Sequence, residues 1–129
     1  MIVRIIVALS VLVLPLVIIL SGRLLLANTP GKPNSFYGYR TKRASMTQES
    51  WAFAQTYSGK YLCSAGKITF LLSLIVAVVY VVLLNYIDIE QSTLIVQLLI
   101  YIPMAIQIIV LLSVVPYTER ALKNRFNPQ

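Results

Sequence analysis

The sequence predicts an all-α integral membrane protein: three transmembrane helices, plus a short amphipathic interfacial helix in the cytoplasmic first loop. Three observations predict it. The 129 residues are 58% hydrophobic and only 12% charged, with mean hydropathy +0.80, whereas about a quarter of a soluble chain is charged. The apolar residues stand in long unbroken runs, not at helical or strand period. Three of those runs have the length a bilayer demands, roughly 20 residues.

The first span covers about residues 5–22, a charge-free stretch between Arg4 and Arg23. The second covers about 68–87, between Lys67 and Asp88, and the third about 94–117, ending before Glu119. At about 1.5 Å per residue such runs reach about 27–30 Å, the hydrocarbon thickness. Only a helix crosses as a single segment, because lipid offers the backbone no hydrogen-bond partner. The first run exceeds the roughly 7–15 apolar residues of a signal peptide and leaves through Ser21-Gly22-Arg23 without a small-x-small site. It is expected to stay in the protein. Pro15 and Pro103 fall inside the first and third helices; each frees the carbonyl one turn earlier, at Val11 and Leu99, and predicts a static kink. The polar residues within spans, among them Ser73, Tyr80, Gln97, Tyr101, Gln107 and Ser113, read as interhelical hydrogen bonders, and Ser73 with Ala77 forms a small-xxx-small pair.

Charge sets the orientation. The first loop, 23–67, carries Arg23, Lys32, Arg40, Lys42, Arg43, Lys60 and Lys67, and the tail, 118–129, carries Arg120, Lys123 and Arg125. The N-terminus carries Arg4 alone, and the short turn Asp88–Thr93 carries two acids and no base. Three crossings put loop and tail on one side, so the positive-inside rule places them in the cytoplasm and the N-terminus outside. The whole chain then reads as one membrane domain of a bacterial cytoplasmic membrane. The net charge of +7 needs no nucleic acid; the partner it implies is the anionic inner leaflet.

The first loop is the longest polar stretch. Pro30, Gly31 and Pro33 make its start a turn-rich connector. Phe36, Tyr37 and Tyr39 favour the membrane interface, and Gly38 between the tyrosines predicts a tight bend or a close backbone approach. A helix is predicted from about 47 to 65, capped either by Ser45 with Gln48 or by Thr47. Trp51, Ala54, Ser58, Tyr61, Leu62 and Ala65 fall on one stripe, with Gln48, Gln55 and Lys60 off it. This is the amphipathic helix expected to lie on the inner surface; Gly66 is expected to end it or to hinge it into the second span. Arg40 is expected to be tied to carbonyls of the loop or to a lipid phosphate, because its planar fork does what a lysine cannot. Lys42 and Arg43 are expected to be interchangeable exposed charges.

Gly38-Tyr39-Arg40-Thr41, then Ser45, Trp51 and Tyr57-Ser58-Gly59-Lys60, resemble the signature of the SdpI family of small bacterial membrane proteins. The resemblance covers a three-helix unit, with the motif between its first and second helices. It implies immunity to a membrane-active toxin peptide, by binding the peptide or shielding its target. It marks Tyr37, Gly38, Tyr39, Arg40, Thr41, Trp51, Gly59 and Lys60 as motif and interaction residues.

Composition bounds the function classes. There is no His and one cysteine, Cys63, and no acid or base lies deep within a span apart from Arg23 near an edge. These absences speak against catalysis, a metal site and ion-coupled transport, and no cofactor is expected. Two classes remain: an immunity protein engaging a membrane-active peptide, and a membrane-tethered regulatory scaffold that holds a soluble regulator through its basic loop. Assembly into a homo-oligomer is compatible with either.

Overall fold

The computed structural model describes residues 2–86 and 94–126. These residues form three helices, α1 (Ile2–Ala27), α2 (Gln48–Tyr86) and α3 (Leu94–Phe126), joined between α1 and α2 by an irregular loop, 28–47. All three are long and apolar enough to cross a membrane. The acidic turn expected at Asp88–Thr93 lies outside the described residues.

One expectation is corrected. The predicted helix over 47–65 exists, but not as a separate element: α2 runs unbroken from Gln48 through the second span. Its 39 residues, at about 1.5 Å each, measure about 58 Å, close to twice a hydrocarbon core of about 30 Å. The first half of α2 therefore projects along the axis of the span instead of lying flat. Gly59 and Gly66 do not hinge it because both are spent on packing. A Cβ on Gly59 would come within 2.9 Å of Leu26 Cγ and 3.1 Å of Gly22 O, and one on Gly66 within 2.7 Å of Ile19 Cγ1. α3 continues past the third span through 118–126, its final turn carrying Lys123 and Arg125, which suit the negative helix end.

α1 and α2 form the most intimate pair. A Cβ on Gly22 would lie 2.8 Å from both Gly59 O and Cys63 N, so backbone meets backbone, the small-residue packing that drives association in lipid. Deeper in the spans Ala8, Ala77, Tyr80, Leu84 and Val96 make a buried cluster from all three helices. Pro15 is accommodated as expected: Val11 O, deprived of its donor, receives Gln107 Nε2 of α3 at 3.0 Å. Gln107 also donates to Ser73 Oγ of α2 at 2.7 Å. One side chain thus ties the three helices together.

Beyond the spans, α2, α3 and the loop build a small cap with its own core of Tyr39, Ala44, Ala54 and Leu122, flanked by Phe53 and Phe126. Tyr61 and Tyr117 stack with ring centres 5.2 Å apart, and the Tyr61 hydroxyl meets Ser113 Oγ at 2.5 Å. The Arg125 guanidinium lies 4.8 Å from the Phe53 ring centre, a cation–π contact.

Candidate functional site

The loop holds its shape through its own side chains. Asn34 Oδ1 accepts from the backbone N–H of Phe36 at 3.0 Å and of Tyr37 at 2.9 Å, an Asx turn that reverses the chain after Pro33. Gly38 then adopts φ +108°, which L side chains rarely do, and its α-carbon presses so near Gln55 that a Cβ would lie 2.6 Å from Oε1. The tight bend and the close approach foreseen at Gly38 are both present. Thr47 is the cap of α2: its hydroxyl accepts from Ser50 N at 3.0 Å while Ser50 Oγ accepts from Thr47 N at 3.0 Å. Thus the capping pair is Thr47 with Ser50, not Ser45 with Gln48.

Three side chains at spacings of three and four on α2 receive this loop. Gln48 Nε2 donates to Gly31 O. Trp51, fully buried, donates its indole N–H to Pro30 O at 2.7 Å. Gln55, also fully buried, accepts from Tyr39 N at 2.6 Å and donates to Tyr39 O at 2.8 Å. Its amide takes the place of a neighbouring strand and satisfies both backbone groups of one buried residue, which lipid and core would otherwise leave unpaired.

On the opposite side the loop meets Glu119 of α3. Thr41 Oγ1 donates to Glu119 Oε1 at 2.6 Å, and the Tyr39 hydroxyl lies 3.2 Å from that oxygen and 3.2 Å from Val115 O. Arg43 Nε donates to Glu119 Oε2 at 3.2 Å. Burial, and then the Glu119 carboxylate beside it, raise the Tyr39 hydroxyl well above the usual tyrosine range, against a smaller opposing pull from Thr41. The segment Tyr39–Arg43 is therefore a strap, pinned to α2 by Gln55 and to α3 by Glu119.

The strap roofs a cleft of about 280 Å³ whose walls include Leu24 and Leu25 of α1, Leu62 of α2, Val114 of α3, Tyr37 and Tyr39. Among the described residues, no group of His, Cys, Asp or Glu gathers that could hold a metal ion.

The structure brings Tyr37, Gly38, Tyr39 and Thr41 of the predicted set together around strap and cleft, while Trp51 holds the start of the loop at Pro30. Gly59 belongs instead to the α1–α2 contact, and Lys60 is exposed on α2. Arg40 is exposed, and its guanidinium donates to Ser35 O, a carbonyl of the loop as expected. Arg43 departs from expectation, since it pairs with Glu119 where Lys42 stays exposed. Gln55, expected off the packed stripe, is its most deeply committed polar member. Sequence reasoning also missed Glu119. No local signal marks it, because its partners Tyr39, Thr41 and Arg43 stand 76 to 80 residues away in the chain.

The family model of the SdpI/YfhL protein family matches residues 31–118, more than half of the chain. No curated protein and no solved structure matches it.

Proposed function

The chain belongs to the SdpI/YfhL family, and from that premise we propose that it is a membrane immunity protein, protecting its cell by binding a membrane-active peptide or shielding that peptide's target. The cleft under the strap carries this reading. Its walls come from all three helices and from the motif, with an apolar floor beneath an aromatic rim. α1 and α3 touch least of the three helix pairs. An amphipathic peptide lying in the inner interface has apolar side chains that suit such a floor, while exposed Arg40 and Lys42 face its carbonyls or the lipid phosphates around it. The reading places the protein in a bacterial cytoplasmic membrane with the strap and both flanking helix ends inside. It assigns no catalysis.

Filling the cleft tests it. Leu25→Trp and Val114→Trp enter from α1 and α3 without touching Gln55 or Glu119. At wild-type abundance they should cost at least about tenfold in the peptide concentration a cell withstands, which corresponds to a loss of about 1.4 kcal/mol in binding. Full protection with the cleft filled would sink the reading. A regulatory scaffold would respond differently: exposed Lys42, Arg120 and Lys123 surround the cap. Reversing those charges would then abolish the cellular response while the tryptophan variants left it intact.

A further inference from the structure

Lys60 belongs to the motif but not to the cleft under the strap. Ser58 and Leu62 line that cleft. Lys60 stands two residues from each, and two residues turn a helix by about 200°, so it lies on the far face of α2. Lys67 follows it by seven residues, about two turns, and shares that face. α1 repeats the arrangement. Ser21 and Leu25 line the cleft, and Arg23, two residues from each, lies on the opposite flank. Gly22 packs against Gly59 and Cys63, which sets Arg23 across the α1–α2 seam at a level between the two lysines. All three bases are exposed, and among the described residues the one ion pair joins Arg43 to Glu119. Glu49, the acid of α2 on this face, precedes Lys60 by 11 residues, about 16 Å, beyond the roughly 8 Å at which salt screens exposed charges.

Further along the same seam lies a groove of about 270 Å³. Buried Ala8 and Ala77 form its floor, and its walls include Ile5 and Leu12 of α1 and Leu74 and Val78 of α2. No polar side chain lines it. The groove and the bases share one face. Arg23 follows Ile5 by 18 residues and Val78 follows Lys60 by 18, about five whole turns in each case. From Lys67 to Val78 is 11 residues, about 16 Å, close to one leaflet, half of a hydrocarbon core of about 30 Å. Bases at the membrane edge and an apolar groove one leaflet deeper match the phosphate and the acyl chain of one lipid. A soluble anion would leave the groove unused, and a neutral lipid would leave the bases unanswered. A second copy docked here by two-fold symmetry would set its own three bases against these, and like charges repel.

We propose that the α1–α2 seam, on the side away from the strap, binds one anionic phospholipid, its phosphate held by Arg23, Lys60 and Lys67 and an acyl chain lying in the groove. Basic pockets between membrane helices at the cytoplasmic edge take such headgroups, and the flexible lysine stems let both ammonium groups converge on one phosphate. The site is independent of the cleft and of any peptide.

The test titrates the full chain, delipidated in a non-ionic detergent, with palmitoyl-oleoyl phosphatidylglycerol or with the phosphatidylcholine of the same chains, and counts retained lipids by native mass spectrometry. The first phosphatidylglycerol should bind at least about tenfold more tightly than phosphatidylcholine. The triple variant Arg23→Gln/Lys60→Gln/Lys67→Gln, which changes exposed side chains only, should bring the two lipids level. Lys32→Gln/Arg120→Gln/Lys123→Gln removes the same charge from exposed positions elsewhere and should keep the preference. Dihexanoyl phosphatidylglycerol, whose chains are too short to reach the groove, should fail to displace the long-chain lipid from the wild type. Equal retention of both long-chain lipids by the wild type would overturn the proposal, as would an equal loss in the two triple variants, because either reports lipid held without this site. Full displacement by the short-chain lipid would overturn it too, since the headgroup alone would then account for binding. A dimer that excludes the lipid would assign the seam to a second copy and end the proposal.

Discussion

Gln55 and Glu119 hold the strap by different physics, and substitutions should separate them. Gln55→Leu leaves the N–H and the C=O of buried Tyr39 unpaired, at about 1–3 kcal/mol for each orphaned group. It should be among the most destabilising single changes in the cap, read as a lower midpoint of thermal unfolding in detergent. Gly38→Ala should match it, since it needs φ +108° and a Cβ 2.6 Å from Gln55 Oε1; a silent Gly38→Ala would contradict the observed bend. Arg43→Ala should cost far less. The pair's side chains are 33% and 31% exposed, and such ion pairs are worth about 0–1 kcal/mol. Tyr39 adds a pH dependence. The folded state holds its proton more tightly than the unfolded chain, so this stabilisation is complete below the ordinary tyrosine value of 10.0 and is lost as pH climbs from there toward the raised folded value. The stability gap between wild type and Tyr39→Phe should therefore be constant to about pH 9 and narrow above 10.0. A gap that widens with pH would show that Tyr39 does not keep its proton in the fold.

At the scale of elements, the helix pair α1–α2 depends on backbone contact at Gly22 and Gly59. Gly22→Val places a side chain where a Cβ already lies 2.8 Å from two backbone atoms that cannot swing aside. It should lower the folded fraction recovered from membranes, whereas Gly31→Ala, with nothing within 4 Å, should behave as wild type. The same contact explains what was legible in the sequence. The three spans could be read because lipid imposes a length and a composition on each helix separately. The junction at Gly59 and Gly66 could not, because a glycine that breaks a helix and one that admits a neighbouring backbone look alike until the neighbour is known. Gln55 was misplaced for a related reason. Its helical spacing is plain, but its partner, the backbone of Tyr39, lies sixteen residues back in a loop whose path no periodicity encodes. Gly38 was legible because a positive φ leaves a local mark. Glu119 was not, because its three partners become neighbours only when α3 folds back beside the strap.

For the whole molecule, cap and membrane impose one orientation. The strap joins the projecting half of α2 to the last turns of α3, so 28–60 and 117–126 must lie on the same side. These two ranges carry eight of the eleven basic residues, with Arg23 and Lys67 just beyond them, and the positive-inside rule predicts that this side faces the cytoplasm. Met46 is 67% exposed on the cap and touches none of the strap's hydrogen bonds by its side chain, so Met46→Cys in a Cys63→Ser background reports the side without disturbing the fold. Cys63 itself only approaches Ile19 O, with Sγ at 3.9 Å, which serine should tolerate. An impermeant maleimide should leave position 46 unlabelled in intact cells and label it after the membrane is opened. An added cysteine at position 124, exposed near the end of α3, should behave identically, because the cap holds both positions on one face of the membrane. Labelling of both in intact cells would invert the protein and place the cleft outside. Labelling of only one would break the cap, since Glu119 cannot hold Thr41 across a bilayer.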